Sequence, residues 1–287
     1  MRVYLNNKFV DEEKAVVSVF DHGFLYGDGV FETLRAYQGR FFRLDEHLRR
    51  LKVSAQGLEI SIPHTFPVLR QLLHDTLLVN HLKNALLRIY ISRGYGPIGL
   101  DPDLCRKPTT VIIPRVFNGY NSRQYHHGLK IAIVSVRRTP RAVLNPQIKS
   151  ANFLNNVLAK IQSKRKRADE GLMLTVDGYL AEGSISNLFI VRGERLYTPM
   201  VDLGILEGIT RRFVIALAKR SDIPVKETRL RPSDLYKADE CFLTSTSMEI
   251  MPVSKADGIT ISYGKPGPIT RLLHEAYQEQ VRLECRI

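Results

Sequence analysis

Residues 117–128, Phe-Asn-Gly-Tyr-Asn-Ser-Arg-Gln-Tyr-His-His-Gly, interrupt every hydrophobic pattern on either side of them. The stretch is polar and rich in turn formers, which reads as an interdomain loop rather than part of a core. It divides the 287-residue chain into a domain at 1–117, an interdomain loop at 118–128 and a domain at 129–287. Each is long enough to bury a core of its own. Loops of this kind often carry substrate contacts.

The first half reads as α+β. Residues 2–10 and 15–20 have strand character, and Val30–Tyr37 and Arg40–Phe42 flank a turn at Gln38-Gly39. A helix starts at Asp45 and carries Leu48, Leu51, Val53 and Ala55. Phe66–Asn80 repeats Leu69, Leu72, Leu73 and Leu77 at helical spacing. Leu86–Ser92 and Thr109–Arg115 read as strands. The second half opens with a strand at Leu129–Val136, then a proline-containing loop and a helix from about Ala151. Strands Gly171–Val176 and Asn187–Arg192 follow around an irregular turn. A helix over Thr210–Arg220, a strand over Glu240–Leu243 and a last helix near Ile269 complete the pattern.

No apolar run approaches the ~20 residues of a membrane span, and MRVYLNNKFV lacks the apolar stretch of a signal peptide. A cytoplasmic protein is expected. Cys105, Cys241 and Cys285 show no CxxC spacing, so free thiols are expected and no metal site. The formal charge of +13 raises nucleic-acid binding as a rival function. The densest run, Lys164-Arg165-Lys166-Arg167, has no interleaved aromatic residue. It ends a helix whose apolar face would be Leu154, Val157, Leu158 and Ile161, and cations are favourable there. A basic surface that gathers small anionic substrates is the stronger reading.

Gly94-Tyr-Gly96-Pro-Ile-Gly99 fits GxGxxG, but Pro97 follows at once and positions near 119 offer no acid. A glycine-rich surface loop is expected, not a dinucleotide site. Gly208-Ile209-Thr210 precedes a helix, where a cap by Thr210 and free amides would suit a phosphate. The strand at Cys241-Phe242-Leu243 runs into Thr244-Ser245-Thr246-Ser247, a dense group of hydroxyls. Lys149, between Ile148 and a helix start, is placed to project inward, and buried lysines form Schiff bases. A surface lysine is the commoner arrangement. Glu182 sits at a turn between two apolar strands, where solvation is the ordinary state.

Together these segments resemble the class IV, fold-type IV pyridoxal-phosphate aminotransferases, most of all the branched-chain amino acid aminotransferases. The resemblance runs through Ser18-Val-Phe-Asp-His22-Gly-Phe-Leu-Tyr26-Gly-Asp-Gly-Val-Phe31-Glu and Phe42-Arg-Leu-Asp-Glu-His47-Leu-Arg-Arg50-Leu. It continues through Gly99-Leu-Asp-Pro102 and Leu144-Asn-Pro-Gln-Ile-Lys149-Ser. The remaining blocks are Ala181-Glu182-Gly-Ser-Ile-Ser-Asn187-Leu-Phe, Leu206-Glu-Gly-Ile209-Thr210-Arg and Thr244-Ser-Thr246-Ser-Met-Glu-Ile-Met-Pro252-Val. It implies a two-domain α+β chain, with a small N-terminal α/β sandwich and a larger C-terminal pseudo-barrel with helices.

The resemblance also implies roles. Lys149 would form the Schiff base with pyridoxal 5'-phosphate and shuttle the proton. Glu182 would face the pyridine nitrogen and keep it protonated as an electron sink. Arg50, Ile209, Thr210 and Thr246 would hold the phosphate. Phe153, Ser186, Asn187, Gly208 and Ser245 complete the cofactor-binding set. Tyr26, Phe31, Arg35, Arg88, Thr246 and Ser247 would line the substrate pocket. The implied reaction is ping-pong transfer of an amino group from a branched-chain L-amino acid to 2-oxoglutarate, by a homodimer. Phe153 stands where many relatives carry tyrosine, Leu86 where some carry a pocket tyrosine, and Thr33 where glycine is usual. Glu-Gly-Ser-Ile-Ser-Asn and Thr-Ser-Thr-Ser are closer to D-amino acid aminotransferases. A D-amino acid aminotransferase and an aminodeoxychorismate lyase are therefore the alternatives within the family.

Overall fold

A computed structural model of the chain describes residues 1–287 throughout. The backbone forms two compact units. The first holds Met1–Asn118, Ile148–Phe153 and Val281–Ile287, and the second Gly119–Gln147 and Leu154–Gln280. Lys149 lies on the short segment assigned to the first unit.

The first unit is an antiparallel sheet with helices on one face. Its strands are β1 (Arg2–Leu5), β2 (Lys8–Asp11), β3 (Gly29–Tyr37), β4 (Arg40–Phe41), β5 (Ala85–Ser92) and β6 (Thr109–Val116), in the order β2-β1-β6-β5-β3-β4. The helices are α1 (His22–Tyr26), α2 (Leu44–Gly57) and α3 (Phe66–Val79). Side chains alternate along β3. Val30, Leu34 and Ala36 join Leu48, Leu51, Leu69 and Leu73 in the core. Phe31, Thr33 and Arg35 therefore take the opposite face, with Arg88 paired to Thr33 and Leu86 to Arg35.

Two expected strands differ. Asn6 and Asn7 adopt φ of 43° and 72° and fold residues 2–11 into a hairpin, a conformation asparagine tolerates well. Residues 15–20 form no strand, and their Val16, Val17, Val19 and Phe20 are exposed. The Gly94–Gly99 segment is a loop. A Cβ on Gly94 would come within 1.8 Å of the Lys107 carbonyl oxygen, so the glycine serves a close backbone crossing.

In the second unit the polar stretch contains a helix, α4 (Ser122–His127), closed by a capping box of Asn121 and Gln124. The strands are β7 (Leu129–Arg137), β8 (Glu170–Leu174), β9 (Leu180–Gly183), β10 (Asn187–Arg192), β11 (Arg195–Pro199), β12 (Val225–Thr228), β13 (Glu240–Ser245), β14 (Glu249–Ala256) and β15 (Ile259–Thr260). The helices are α5 (Leu154–Arg165), α6 (Ile209–Arg220), α7 (Pro232–Tyr236) and α8 (Pro268–Cys285). Strands β10-β13-β14-β7-β8-β9 run side by side, and β9 returns to β10 where Glu182 faces Asn187. A closed ring results, with β11 and β12 continuing outward from β10.

Helix α5 departs from expectation. It starts at Leu154, and its apolar stripe is open: Leu154, Val157, Leu158 and Ile161 are 67, 47, 43 and 41% exposed. The buried positions are Ala159 and Ser163. They lie against Gly171 of β8, where a Cβ would come within 2.7 Å of the Ala159 carbonyl oxygen. Small residues let the helix approach the strand closely, so the side toward the sheet is the small one rather than the most apolar one. No helix is long and apolar enough to cross a membrane.

Candidate active site

Lys149 is fixed by its backbone. Its N–H donates to Ser54 Oγ of α2 at 3.0 Å, and its carbonyl accepts from the Phe31 N–H at 3.0 Å. Ser150 forms a bridge to Val30. The half-buried side chain places Nζ 4.6 Å from the centre of the Phe31 ring. The Arg88 guanidinium lies 4.7 Å from the same ring, and Phe153 meets it edge-on at 5.3 Å. One aromatic ring thus gathers a lysine, an arginine and a second ring, with cation–π attraction to both charges. Burial, then repulsion by Arg115, draws the Arg88 pKa down, though a guanidinium stays charged at neutral pH.

Two more residues expected in the substrate pocket, Arg35 and Tyr26, make contacts elsewhere in this unit. Arg35 stacks over Tyr37 at 4.4 Å and Phe117 at 5.1 Å. The Tyr26 hydroxyl accepts from the Gly99 N–H at 3.1 Å, and its ring meets His22 edge-on.

Arg50 belongs to a buried ionic group. Its Nε and Nη2 donate to the two carboxylate oxygens of Glu32 at 2.5 and 2.9 Å. His47 Nδ1 meets Glu32 Oε2 at 2.7 Å. Glu32 has no solvent exposure. Burial opposes its charge, but Arg50 and His47 outweigh that and hold its carboxyl below the usual range. Burial also depresses the His47 pKa against the pull of Glu32, and Arg50 and Lys149 add repulsion. A neutral His47 with its proton on Nδ1 still donates to Glu32. Sequence reasoning singled out Arg50 and passed over Glu32 and His47. The i, i+3 spacing of His47 and Arg50 on α2 was the available signal.

The second unit assembles a separate group. Glu182 is not a solvated turn residue: it lies in β9 and is 5% exposed. Oε1 accepts from Arg138 Nε at 2.6 Å, and Oε2 from Asn187 Nδ2 at 3.3 Å and the Leu206 N–H at 3.1 Å. Arg138 was not anticipated. It stands just beyond β7 in a basic, proline-containing loop that resembles any surface turn.

Gly208, not Thr210, is the N-cap of α6, with no side-chain cap. Thr210 lies inside the first turn and is buried, so the first-turn amides are left without an intrahelical acceptor. A Cβ on Gly208 would come within 2.1 Å of Asn187 Oδ1. Asn187 pairs in turn with Thr244 of β13. Ser186 Oγ and Thr244 Oγ1 are buried with no hydrogen-bond partner. Beyond β13, the Ser245 and Ser247 hydroxyls lie 3.3 Å apart, the Met248 N–H donates to Ser245 Oγ, and Thr246 is half-buried. Orphaned hydroxyls and free helix amides suit an oxygen-rich anion.

The family model for amino-transferase class IV matches residues 29–256. A protein of Methanocaldococcus jannaschii, provisionally assigned as a branched-chain-amino-acid aminotransferase, is 48% identical over 97% of this chain and 96% of its own. An aminodeoxychorismate lyase of Bacillus subtilis is 36% identical over 98% of this chain and 94% of its own. A D-alanine aminotransferase of Listeria monocytogenes is 35% identical over 99% and 98%. Among solved structures, the Escherichia coli branched-chain amino acid aminotransferase superposes with a TM-score of 0.94 at 31% identity, covering 99% of this chain and 95% of that one. A branched-chain amino acid aminotransferase of T.th. solved with pyridoxamine 5'-phosphate superposes with a TM-score of 0.94 at 33% identity, covering 99% of this chain and 94% of that one.

Proposed function

Because the chain belongs to the class IV aminotransferases, we propose that it is a pyridoxal-phosphate enzyme moving the amino group of a branched-chain L-amino acid to 2-oxoglutarate. The residues present fit that cofactor. The uncapped turn at Gly208–Thr210 and the unpartnered Ser186 and Thr244 hydroxyls suit its phosphate and polar edge. Glu182, oriented by Arg138, Asn187 and the Leu206 N–H, supplies a buried carboxylate that would accept a ring N–H. When bound, the cofactor supplies an electron sink for charge developing at the substrate α-carbon.

Lys149 provides the amine that attaches the cofactor and then carries the proton to and from that carbon. Its clamped backbone and the Phe31 ring restrict where Nζ can reach. Arg50, oriented by Glu32, holds phosphate. Arg88 and Arg35 share a sheet face and take substrate carboxylates, where a guanidinium binds in bidentate fashion. The observation that supports this reading most directly is the anchored lysine beside Phe31 and Arg88. The test is a set of half-reactions on the purified holoenzyme, following the cofactor absorbance with L-leucine, D-alanine and aminodeoxychorismate. L-leucine is expected to convert the cofactor fastest. Faster conversion by D-alanine, or pyruvate release from the third compound, would overturn the substrate assignment. The D-amino acid reading draws on Glu182-Gly-Ser-Ile-Ser-Asn187 and Thr244-Ser-Thr-Ser247, while Leu86 and Thr33, paired with Arg35 and Arg88, break the branched-chain pattern.

Phe153 bears on the same chemistry. It is half-buried against Phe31 rather than part of the core. A tyrosine there would offer a donor to the cofactor phenolate, and a hydrogen bond to a charged group is worth ~1.5–3 kcal/mol. Phe153→Tyr is expected to shift the pH midpoint of the bound cofactor's absorbance band downward and to tighten cofactor binding. Superimposable titrations and equal affinity would make Phe153 a packing residue only.

A second copy of the chain is the proposed partner. The segments around Phe20 and Tyr95 touch, with their rings 6.3 Å apart. Val16, Phe24, Tyr95, Ile98 and Leu100 are 73, 67, 64, 73 and 84% exposed. An apolar group of this kind marks an association surface, and two-fold dimers are the commonest assembly. Light scattering at assay concentration is expected to give twice the chain mass. An active monomer would contradict it. Free thiols at all three cysteines suit the cytoplasm.

A further inference from the structure

Glu182 is already held from three directions by the protein itself. Arg138 Nε reaches Oε1, while Asn187 Nδ2 and the Leu206 N–H reach Oε2. Arg138 is itself secured, its own N–H donating to the Leu174 carbonyl at 2.8 Å. Both charged side chains are largely sealed from solvent, Arg138 at 13% and Glu182 at 7% exposure. A carboxylate sealed in this way without a cation takes up a proton rather than stay charged.

We propose that Arg138 is a positioning residue that keeps Glu182 ionised, so that the proton shared with the pyridine nitrogen of bound cofactor resides on the nitrogen. The inference rests on the reading that Glu182 faces that nitrogen. Two arrangements of the one proton compete. In the first, nitrogen carries the proton and Glu182 is an anion. In the second, Glu182 is a neutral acid and the ring is neutral. Arg138 Nε lies 2.6 Å from the carboxylate itself, closer than two cationic donors that share one carboxylate would lie to each other. Coulomb energy falls with distance, so attraction of Arg138 for the anion exceeds its repulsion of the ring cation. The first arrangement is favoured. The two neutral donors at Oε2 act in the same sense. Arg138 acts through Glu182, the site residue its guanidinium bonds.

The test reconstitutes the holoenzyme with cofactor labelled with nitrogen-15 in the ring and records the nitrogen resonance. Arg138→Lys keeps a cation, and Arg138→Gln keeps a hydrogen-bond donor without charge. Wild type and Arg138→Lys are expected at the position of a protonated ring nitrogen. Arg138→Gln is expected to move toward that of neutral pyridine. Glu182→Gln is the control and should lie fully at the neutral position. A wild-type resonance in Arg138→Gln, with Glu182→Gln displaced, would overturn the inference while leaving the role of Glu182 intact. A wild-type resonance in Glu182→Gln would instead refute the reading beneath it. Should Arg138→Gln release the cofactor, the apo protein decides. Its infrared spectrum at neutral pH should show a protonated carboxyl band that wild type and the Arg138→Gln, Glu182→Gln double variant lack. Absence of that band would equally overturn the inference.

Discussion

Lys149→Ala is expected to reduce transamination below detection while leaving the fold intact. Proton transfer by a positioned side chain alone is worth roughly 10²–10⁴-fold, and the variant also loses the amine that attaches the cofactor. The fold should survive because Lys149 is held by its backbone: the N–H to Ser54 and the carbonyl to Phe31 remain when the side chain is cut. The check is single-turnover amino transfer alongside circular dichroism of the same preparation. A folded variant that still turns over within tenfold of wild type would remove Lys149 from the chemistry.

Glu32→Gln should produce the largest loss of stability from a single side chain. Glu32 is wholly buried and carries bidentate bonds from Arg50 plus a bond to His47. Removing one partner of a buried ion pair costs roughly 3–5 kcal/mol, because the other charge is left uncompensated. Arg50 retains some exposure, at 14%, so a value near ~3 kcal/mol is expected. The effect should have a definite pH dependence. Folded Glu32 has its pKa held below the unfolded value by Arg50 and His47, which outweigh burial. Its stabilising contribution is therefore complete above the ordinary carboxylate range. It is lost progressively as pH falls from the ordinary carboxylate value, about 4, through the depressed folded value. Urea unfolding of the apo protein at pH 7 and pH 5 should show the same gap between wild type and variant. A gap that changed between those values would mean that a group titrating in that range, and not Glu32 with a depressed pKa, sets the difference. The same variant should retain cofactor poorly, since Arg50 loses the group that aims it.

The order of elements was legible wherever periodicity was long. The β3 hairpin, α2, α3, α6, β13 and α8 each combine an apolar repeat with a turn or cap signal. Several elements escaped, among them the short β9, β11, β12 and α7 and the eight-residue β14, because their placement comes from distant partners rather than local pattern. Helix α5 shows the limit of counting apolar residues. Its stripe was plain in sequence, yet the helix packs on Ala159 and Ser163. In the site, Lys149, Glu182 and Arg50 were each found through the family resemblance, since a lone lysine or acid carries no spacing of its own. Of their supporting residues, His47 had a signal in its i, i+3 spacing to Arg50, whereas Glu32 and Arg138 had none. A buried pair such as Arg138 and Glu182 joins positions 44 residues apart, which no local pattern encodes.

The central claim is that Lys149 is the residue bonded to the cofactor. Borohydride reduction of the holoenzyme, followed by proteolysis and mass spectrometry, tests it most directly. The cofactor mass should appear on the peptide containing Asn145-Pro146-Gln147-Ile148-Lys149-Ser150, at Lys149 and in one copy per chain. Stable attachment to any other lysine, or none on holoenzyme that is active before reduction, would contradict it.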